Sequence, residues 1–247
     1  MNIRKILKRS EFLKAFAAAL RKIPMDISIV KNSAARKSVI TEYLATTTTR
    51  KLQIGCGKNI LDGWLNCDFT PASPKAIFLD ATAPFPFPDS SFDFVFSEHM
   101  IEHVPYAAGQ KMLGECFRIL KPGGVIRIST PNLRNVASLM AEPLTPEKQL
   151  YIKTATDKYI PENKRYLPGF ALNNFYWDFM HYFIYDPETL SQAFEEAGFS
   201  LVQAMKSGIG SAPELSGLEC HAKIVDPRLD DFETMIFEAT KALSASA

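Results

Sequence analysis

Cysteine is scarce and scattered in this chain of 247 residues: Cys56, Cys67, Cys116 and Cys220 stand far apart and form no C-x-x-C pair. That spacing excludes the disulfide frameworks of small secreted domains and argues for reduced thiols, so a cytoplasmic location is expected. Net charge is also lacking, with Lys plus Arg at 28 and Asp plus Glu at 27. No basic stripe with interleaved aromatics marks the central region, so no nucleic-acid partner is expected. Nowhere does an apolar run reach the roughly 18 residues that span a bilayer. Internal repeats and low-complexity tracts are absent as well. A chain of this length needs no staple, since it can bury about 70 to 75% of its unfolded surface.

What charge asymmetry exists lies at the start. Residues 1 to 22 carry Arg4, Lys5, Lys8, Arg9, Lys14, Arg21 and Lys22 against Glu11 alone. Ile3, Ile6, Leu7, Leu13, Phe16, Ala17, Leu20 and Ile23 recur at helical spacing, which predicts an amphipathic helix stopped by Pro24. Such a helix packs on its own domain or makes weak contact with a membrane surface through residues 1–23. Lys14 interrupts the run that would otherwise resemble a signal peptide. A weaker helix is expected from Ala34 to Leu44, with the Thr run at 46 to 49 as a linker. The expected division is therefore an N-terminal helical extension over 1–46 and a main domain over 47–247.

From Arg50 onward, strands alternate with helices, the pattern of a mainly parallel sheet with both faces covered. Strands are predicted at Lys51 to Ile54, Trp64 to Cys67, Ala76 to Leu79, Phe92 to Phe96 and Val125 to Ser129. Met112, Leu113, Cys116, Phe117 and Leu120 share one helical face, and Lys121-Pro122-Gly123-Gly124 reads as a helix stop and turn. Asp186 and Pro187 start a helix that Gly198 ends. Ser200 to Lys206 and Leu218 to Ile224 are expected as closing strands. Residues 135 to 185 are irregular and rich in aromatics, too apolar for a disordered linker. They form an insertion that serves as a lid or acceptor wall, or else an extra core layer.

The chemistry concentrates at predicted strand ends. Leu52-Gln53-Ile54-Gly55-Cys56-Gly57 places two glycines where a buried strand turns toward the sheet crevice, and glycine lets backbone approach a ligand closely. A dinucleotide fingerprint needs a third glycine at position 60, where Ile60 stands, which counts against nicotinamide and flavin cofactors. Asp68 and Asp80 each close a strand at the carboxyl edge. Two carboxylates there suit a nucleoside, one accepting from ribose hydroxyls and one from an adenine amino group; either also serves as a simple turn residue.

Taken in order, Gly55-Cys56-Gly57, Asp68, Leu79-Asp80, Pro84 through Asp93, Ser97-Glu98-His99-Met100-Ile101-Glu102-His103 and Leu120 through Gly124 resemble the class I methyltransferases of the methyltransferase-11 type. The resemblance covers residues 51 to 131, and Tyr185 through Phe199 is similar to the family's penultimate helix. It implies a doubly wound, Rossmann-like α/β fold with a mostly parallel seven-stranded sheet and helices on both faces. It further implies S-adenosylmethionine as cofactor and transfer of its methyl group. Ile54, Gly55, Cys56 and Gly57 would border the cofactor's methionine part. Asp68 would bind the ribose, with Asp62 as fallback because the stretch from Gly55 to Asp68 is short. Asp80 and Ala81 would lie beside adenine, and Ser97, Glu98 and His99 would flank the sulfonium and the acceptor.

Little acid or base chemistry is obligatory for methyl transfer. A hydroxyl acceptor needs a base, for which His99 and His103 are the candidates, and His181 in the aromatic segment is a possible substrate contact. A small-molecule or saccharide acceptor, methylated at oxygen, is the expected substrate class. Two rival readings stand beside it. One is a non-catalytic binding module of the same fold. The other is a zinc hydrolase, because His99-Met100-Ile101-Glu102-His103 matches the H-x-x-E-H pattern; the main reading calls for no metal.

Overall fold

A computed structural model of the chain describes residues 36–163, 165–223 and 225–243. The amphipathic helix expected over the first 23 positions lies outside the described residues. The first helix among the described residues, α1, covers 36–46. It packs Ile40, Tyr43 and Leu44 into the core, and the Tyr43 hydroxyl donates to the Lys51 carbonyl while accepting from the Lys51 N–H.

Seven strands form one sheet: β1 (Lys51–Ile54), β2 (Leu65–Asp68), β3 (Ala76–Phe78), β4 (Phe92–Glu98), β5 (Leu120–Pro131), β6 (Ser200–Met205) and β7 (Thr234–Thr240). Their order is β3-β2-β1-β4-β5-β7-β6. β1 through β5 run parallel, and β7 runs antiparallel to both β5 and β6. This is the doubly wound, Rossmann-like α/β arrangement, and its order reverses at β1 and β4, where the crevice of such sheets opens.

Between β1 and β4 the crossovers are short loops. The α-helices come later: α2 (Tyr106–Ile119), α3 (Leu133–Ala137), α4 (Pro146–Tyr159), α5 (Pro168–Trp177), α6 (Pro187–Glu196) and α7 (Pro227–Glu233). Proline opens α4, α5, α6 and α7, where its missing N–H would have no intrahelical partner. Thr145, Asp186 and Asp226 then cap α4, α6 and α7 by accepting from backbone N–H groups.

Alternation along the strands separates two faces. Leu52, Ile54, Val95, Ile126 and Ile128 meet Met112, Leu113 and Cys116 of α2 and Leu190 and Phe194 of α6. The opposite face is covered more thinly by Trp64, Leu215 and Leu218 on Phe96, with single helical turns at Pro213–Leu215 and His221–Lys223. Here Arg127 is fully buried between Glu219, at 2.5 Å, and its cross-strand partner Glu238, at 2.7 Å.

Three expectations change. The final strand is Thr234–Thr240, not 218 to 224: Leu218 packs on the second face, Glu219 binds Arg127, and His221–Lys223 forms a helical turn. Pro122-Gly123-Gly124 is not a free turn but an excursion within β5, which already pairs at Leu120 with Phe92 before resuming at Val125 with Phe94. The aromatic segment is not irregular, because α4 and α5 build a second core with Leu229 and Phe232 of α7, centred on Tyr151, Ile152 and Phe175.

Candidate functional site

Ile54 ends β1, buried, and the chain turns through Gly55 and Gly57 with φ of +72° and +51°. Those left-handed conformations suit glycine. A Cβ on Gly55 would stand 2.6 Å from the Met100 Cγ, whereas nothing lies within 4 Å of where a Cβ on Gly57 would stand. One glycine thus permits close packing and the other presents bare backbone to open space. Between them Cys56 is buried; burial, then the nearby Asp68 carboxylate, pushes its thiol up to about 12, so it remains protonated.

Asp68, the last residue of β2, reaches back to this turn. Its Oδ2 accepts from the Gly57 N–H at 2.8 Å and its Oδ1 from the Thr70 N–H at 2.7 Å. Each carboxylate oxygen retains a further lone pair for a ligand hydroxyl. Asp80 follows β3 and holds its own turn, with Oδ1 accepting from the Thr82 N–H at 2.8 Å and from the Thr82 hydroxyl at 2.7 Å. Ala81 beside it is half-buried against the core. Asp62, by contrast, precedes β2 and pairs with Lys75, which precedes β3, with 93% of its side chain exposed. It sits at the amino edge, away from the glycine turn.

On β4, Ser97 aligns between Ile54 of β1 and Ile128 of β5. Its hydroxyl and that of Ser129 are buried with no hydrogen-bond partner among the described residues. Glu98 points elsewhere: its carboxylate accepts from the Cys220 and His221 N–H groups at 2.8 and 2.9 Å, which fastens the 220 loop to the sheet.

Just past β4 the chain gathers its four histidines. His99, at φ +45°, turns its ring off the strand into a partly open cavity of about 150 Å³ that His103, His181 and His221 also line. The backbone explains the convergence, since the Tyr182 and Phe183 N–H groups donate to the Glu102 carbonyl and bring the aromatic segment onto the residues after β4. Tyr151, Tyr159, Phe175 and Phe179 from α4, α5 and the following turn close the far side.

Glu102, wholly buried, organises the polar end. Its Oε1 lies 3.1 Å from His99 Nδ1 and 3.9 Å from His103 Nε2, and its Oε2 accepts from the Thr130 hydroxyl at 3.0 Å. Thr234 donates its hydroxyl proton to Asp230, so its oxygen accepts from His99 Nε2 at 3.0 Å. His99 Nε2 therefore donates to Thr234, while Nδ1 faces the Glu102 carboxylate. Burial alone would lower the His99 pKa, but the Glu102 hydrogen bond and charge, with Glu233 and Asp230, raise it above its ordinary value. Burial would raise Glu102, yet its bond to His99 and the charges of both neighbouring histidines hold it below the usual carboxylate range. His103 donates from Nδ1 to the Met180 carbonyl at 3.4 Å, so that in its neutral form Nε2 is the acceptor. His181 is lowered, chiefly by burial, and so stays neutral.

The zinc-hydrolase pattern does not form its site. That motif needs both histidines on one face of an α-helix, whereas Ile101–His103 is a single 3-10 turn and His99 precedes it in a left-handed conformation. His99 groups instead with His221 and Asp230, and His103 with Glu102 and His181, the donor atoms of each set lying within 4.8 Å.

Sequence reasoning located the glycine turn, Asp68, Asp80, Ser97, His99 and His103 on the carboxyl side of the sheet. It missed Glu102 as the organising carboxylate, His221, Asp230 and Thr234. The signal for Glu102 was present in the H-x-x-E-H pattern. The others approach from the far end of the chain and leave no local trace.

Open glycine backbone, two carboxylates and two unpartnered buried hydroxyls stand along one rim of this doubly wound α/β sheet, and these groups fit an adenosyl cofactor. Residues 52–128 match the model of a methyltransferase domain, the methyltransferase-11 family. The chain thus carries a class I, S-adenosylmethionine-dependent methyltransferase domain. A probable S-adenosylmethionine-dependent methyltransferase of Mycolicibacterium smegmatis is 42% identical over 64 residues, 26% of this chain and 24% of that protein. A demethylmenaquinone methyltransferase of Listeria monocytogenes is 29% identical over 135 residues, 51% of this chain and 49% of that one. The chain thus spans from a quarter to half the length of these curated relatives. Among solved structures, a SAM-dependent methyltransferase from Archaeoglobus fulgidus aligns with TM-score 0.47 and 20% identity, covering 86% of this chain and 93% of that one.

Proposed function

We propose that this protein transfers the methyl group of S-adenosylmethionine to a hydroxyl oxygen of a small-molecule or saccharide acceptor held in the histidine cavity. The observation that carries the reading is the continuity of β4: Ser97 lies in the rim, and His99, two residues on, lines the cavity. Two residues of extended chain span about 7 Å. Donor and acceptor groups would therefore meet across the end of one strand.

When bound, the cofactor supplies a methyl carbon activated by a sulfonium for in-line displacement. In this reading Ile54, Gly55, Cys56 and Gly57 border its methionine part, Asp68 takes the ribose hydroxyls, and Asp80 with Ala81 flanks adenine. Ser97 offers its hydroxyl nearby. Glu98 contributes indirectly, by holding the 220 loop against the end of β4. His103 Nε2 takes the acceptor proton, and Glu102 faces the imidazolium that results. His99, which donates from Nε2 to Thr234 and faces Glu102 from Nδ1, steadies negative charge on the acceptor oxygen rather than removing its proton. The aromatic segment walls the cavity and excludes water.

Calorimetry with S-adenosylmethionine tests the reading. The chain should bind it, and Asp68→Ala should weaken binding by about 1.5 to 3 kcal/mol, the scale of lost charged hydrogen bonds. An affinity untouched by that substitution would remove the ribose assignment, and no binding at all would end the proposal.

A further inference from the structure

The cavity's size and wall chemistry restrict what it accepts, given the methyltransferase reading above. Its volume is about 150 Å³, the size of a cavity that takes up one benzene ring. A single ring fills that space, and a second fused ring or a second sugar would project through its mouth. The far wall consists of Tyr151, Tyr159, Phe175 and Phe179 around Ala155 and Ala171, and such faces favour stacked or edge-on aromatic partners.

At the other end most polar groups are already engaged. His99 donates from Nε2 to Thr234 and turns Nδ1 to the Glu102 carboxylate, the Asn174 amide donates to Asp178, and the Tyr151 hydroxyl donates to Glu233. His181 Nδ1 is buried without a partner, and His103 Nε2 meets only Glu102, across 3.9 Å. His103 Nε2 is therefore the ring nitrogen left to receive a ligand hydroxyl. A pyranose brings four or five hydroxyls, and each one buried without a partner costs about 1 to 3 kcal/mol.

We infer that the cavity is the seat of a single six-membered aromatic ring carrying one or two hydroxyls, a phenol-class acceptor that is methylated at oxygen. The hydroxyl proton passes to His103 Nε2. The phenolic oxygen then bonds to the methyl carbon as the bond from that carbon to sulfur breaks, with the electron pair left on sulfur. The products are an aryl methyl ether, a neutral thioether and a protonated histidine. Ala171 sets the depth of the ring slot.

The test titrates para-cresol into the protein by calorimetry, alone and saturated with S-adenosylhomocysteine, beside para-methylcyclohexanol and methyl glucoside. Para-cresol should bind at least about tenfold tighter than its saturated analogue, and methyl glucoside should give no heat. With S-adenosylmethionine, para-cresol should yield its methyl ether. Ala171→Leu should weaken para-cresol about tenfold or more while leaving S-adenosylhomocysteine affinity within about twofold, which also reports that the variant is folded. Phe175→Leu, which removes a ring from the wall without adding bulk, should weaken para-cresol as well. Absence of para-cresol binding, equal or tighter binding of methyl glucoside, or indifference to both substitutions overturns the inference. Para-cresol binding without S-adenosylhomocysteine binding would keep the ring site and sink the methyltransferase reading instead.

Discussion

Glu102 shows how much one side chain can control. A carboxylate with no solvent contact is costly unless paired, and this one is held by His99, His103 and Thr130. The raised His99 pKa means that its ion pair is complete below the unfolded histidine value and is lost as pH rises through the higher folded value. The lowered Glu102 pKa bounds the window on the acid side, because its contribution is present above the unfolded carboxyl value and disappears as pH falls through the folded one. The wild type should therefore exceed Glu102→Gln in Tm most clearly near pH 5 to 6, and the margin should shrink toward about pH 9. Thermal unfolding across that range checks it; a margin that grows with pH would show that His99 does not carry the charge assigned to it.

Helix α6 illustrates what an element owes to its first turn. Asp186 accepts from the Thr189 N–H at 2.7 Å and Pro187 fixes the opening dihedral, while Leu190, Ala193 and Phe194 bury its inner face. Removing the cap with Asp186→Ala should cost about 1 kcal/mol in urea unfolding without altering cofactor affinity. This helix was legible in the sequence because cap, proline and apolar spacing all agree locally. The same holds for β1 through β4 and for the glycine turn with its two aspartates. Thr234–Thr240 was not, because seven residues of mixed character become a strand only by pairing with β5 and β6. The 218–224 run misled for the converse reason. Its Leu and Ile suit a strand, but Glu219 is drawn to Arg127. Helices α4 and α5 hid behind aromatics that face two ways, some into the second core and some, such as Trp177, 78% exposed.

At the scale of the molecule, the second face of the sheet depends on Arg127. One guanidinium with no solvent contact faces Glu219 and Glu238 and also donates to the Lys206 and Ile209 carbonyls. The Gly208 and Ser211 N–H groups donate to the outer oxygens of the same carboxylates. Arg127→Met leaves both carboxylates buried without their cation and should cost about 3 to 5 kcal/mol. Replacing all three by apolar residues of similar volume should restore most of that loss, which paired urea denaturation curves would show. If the triple substitution were as unstable as the single one, the network would matter for more than charge balance.

The short loops that replace helices between β1 and β4 have a kinetic meaning. Leu52 pairs with Leu65, and Asn66 with Ala76, so the glycine-bearing rim closes over small separations at little entropic cost. Val125 must find Thr240, and that contact joins distant parts of the chain. The rim can zip locally and early, whereas the histidine cavity waits for β7 to arrive from the far end.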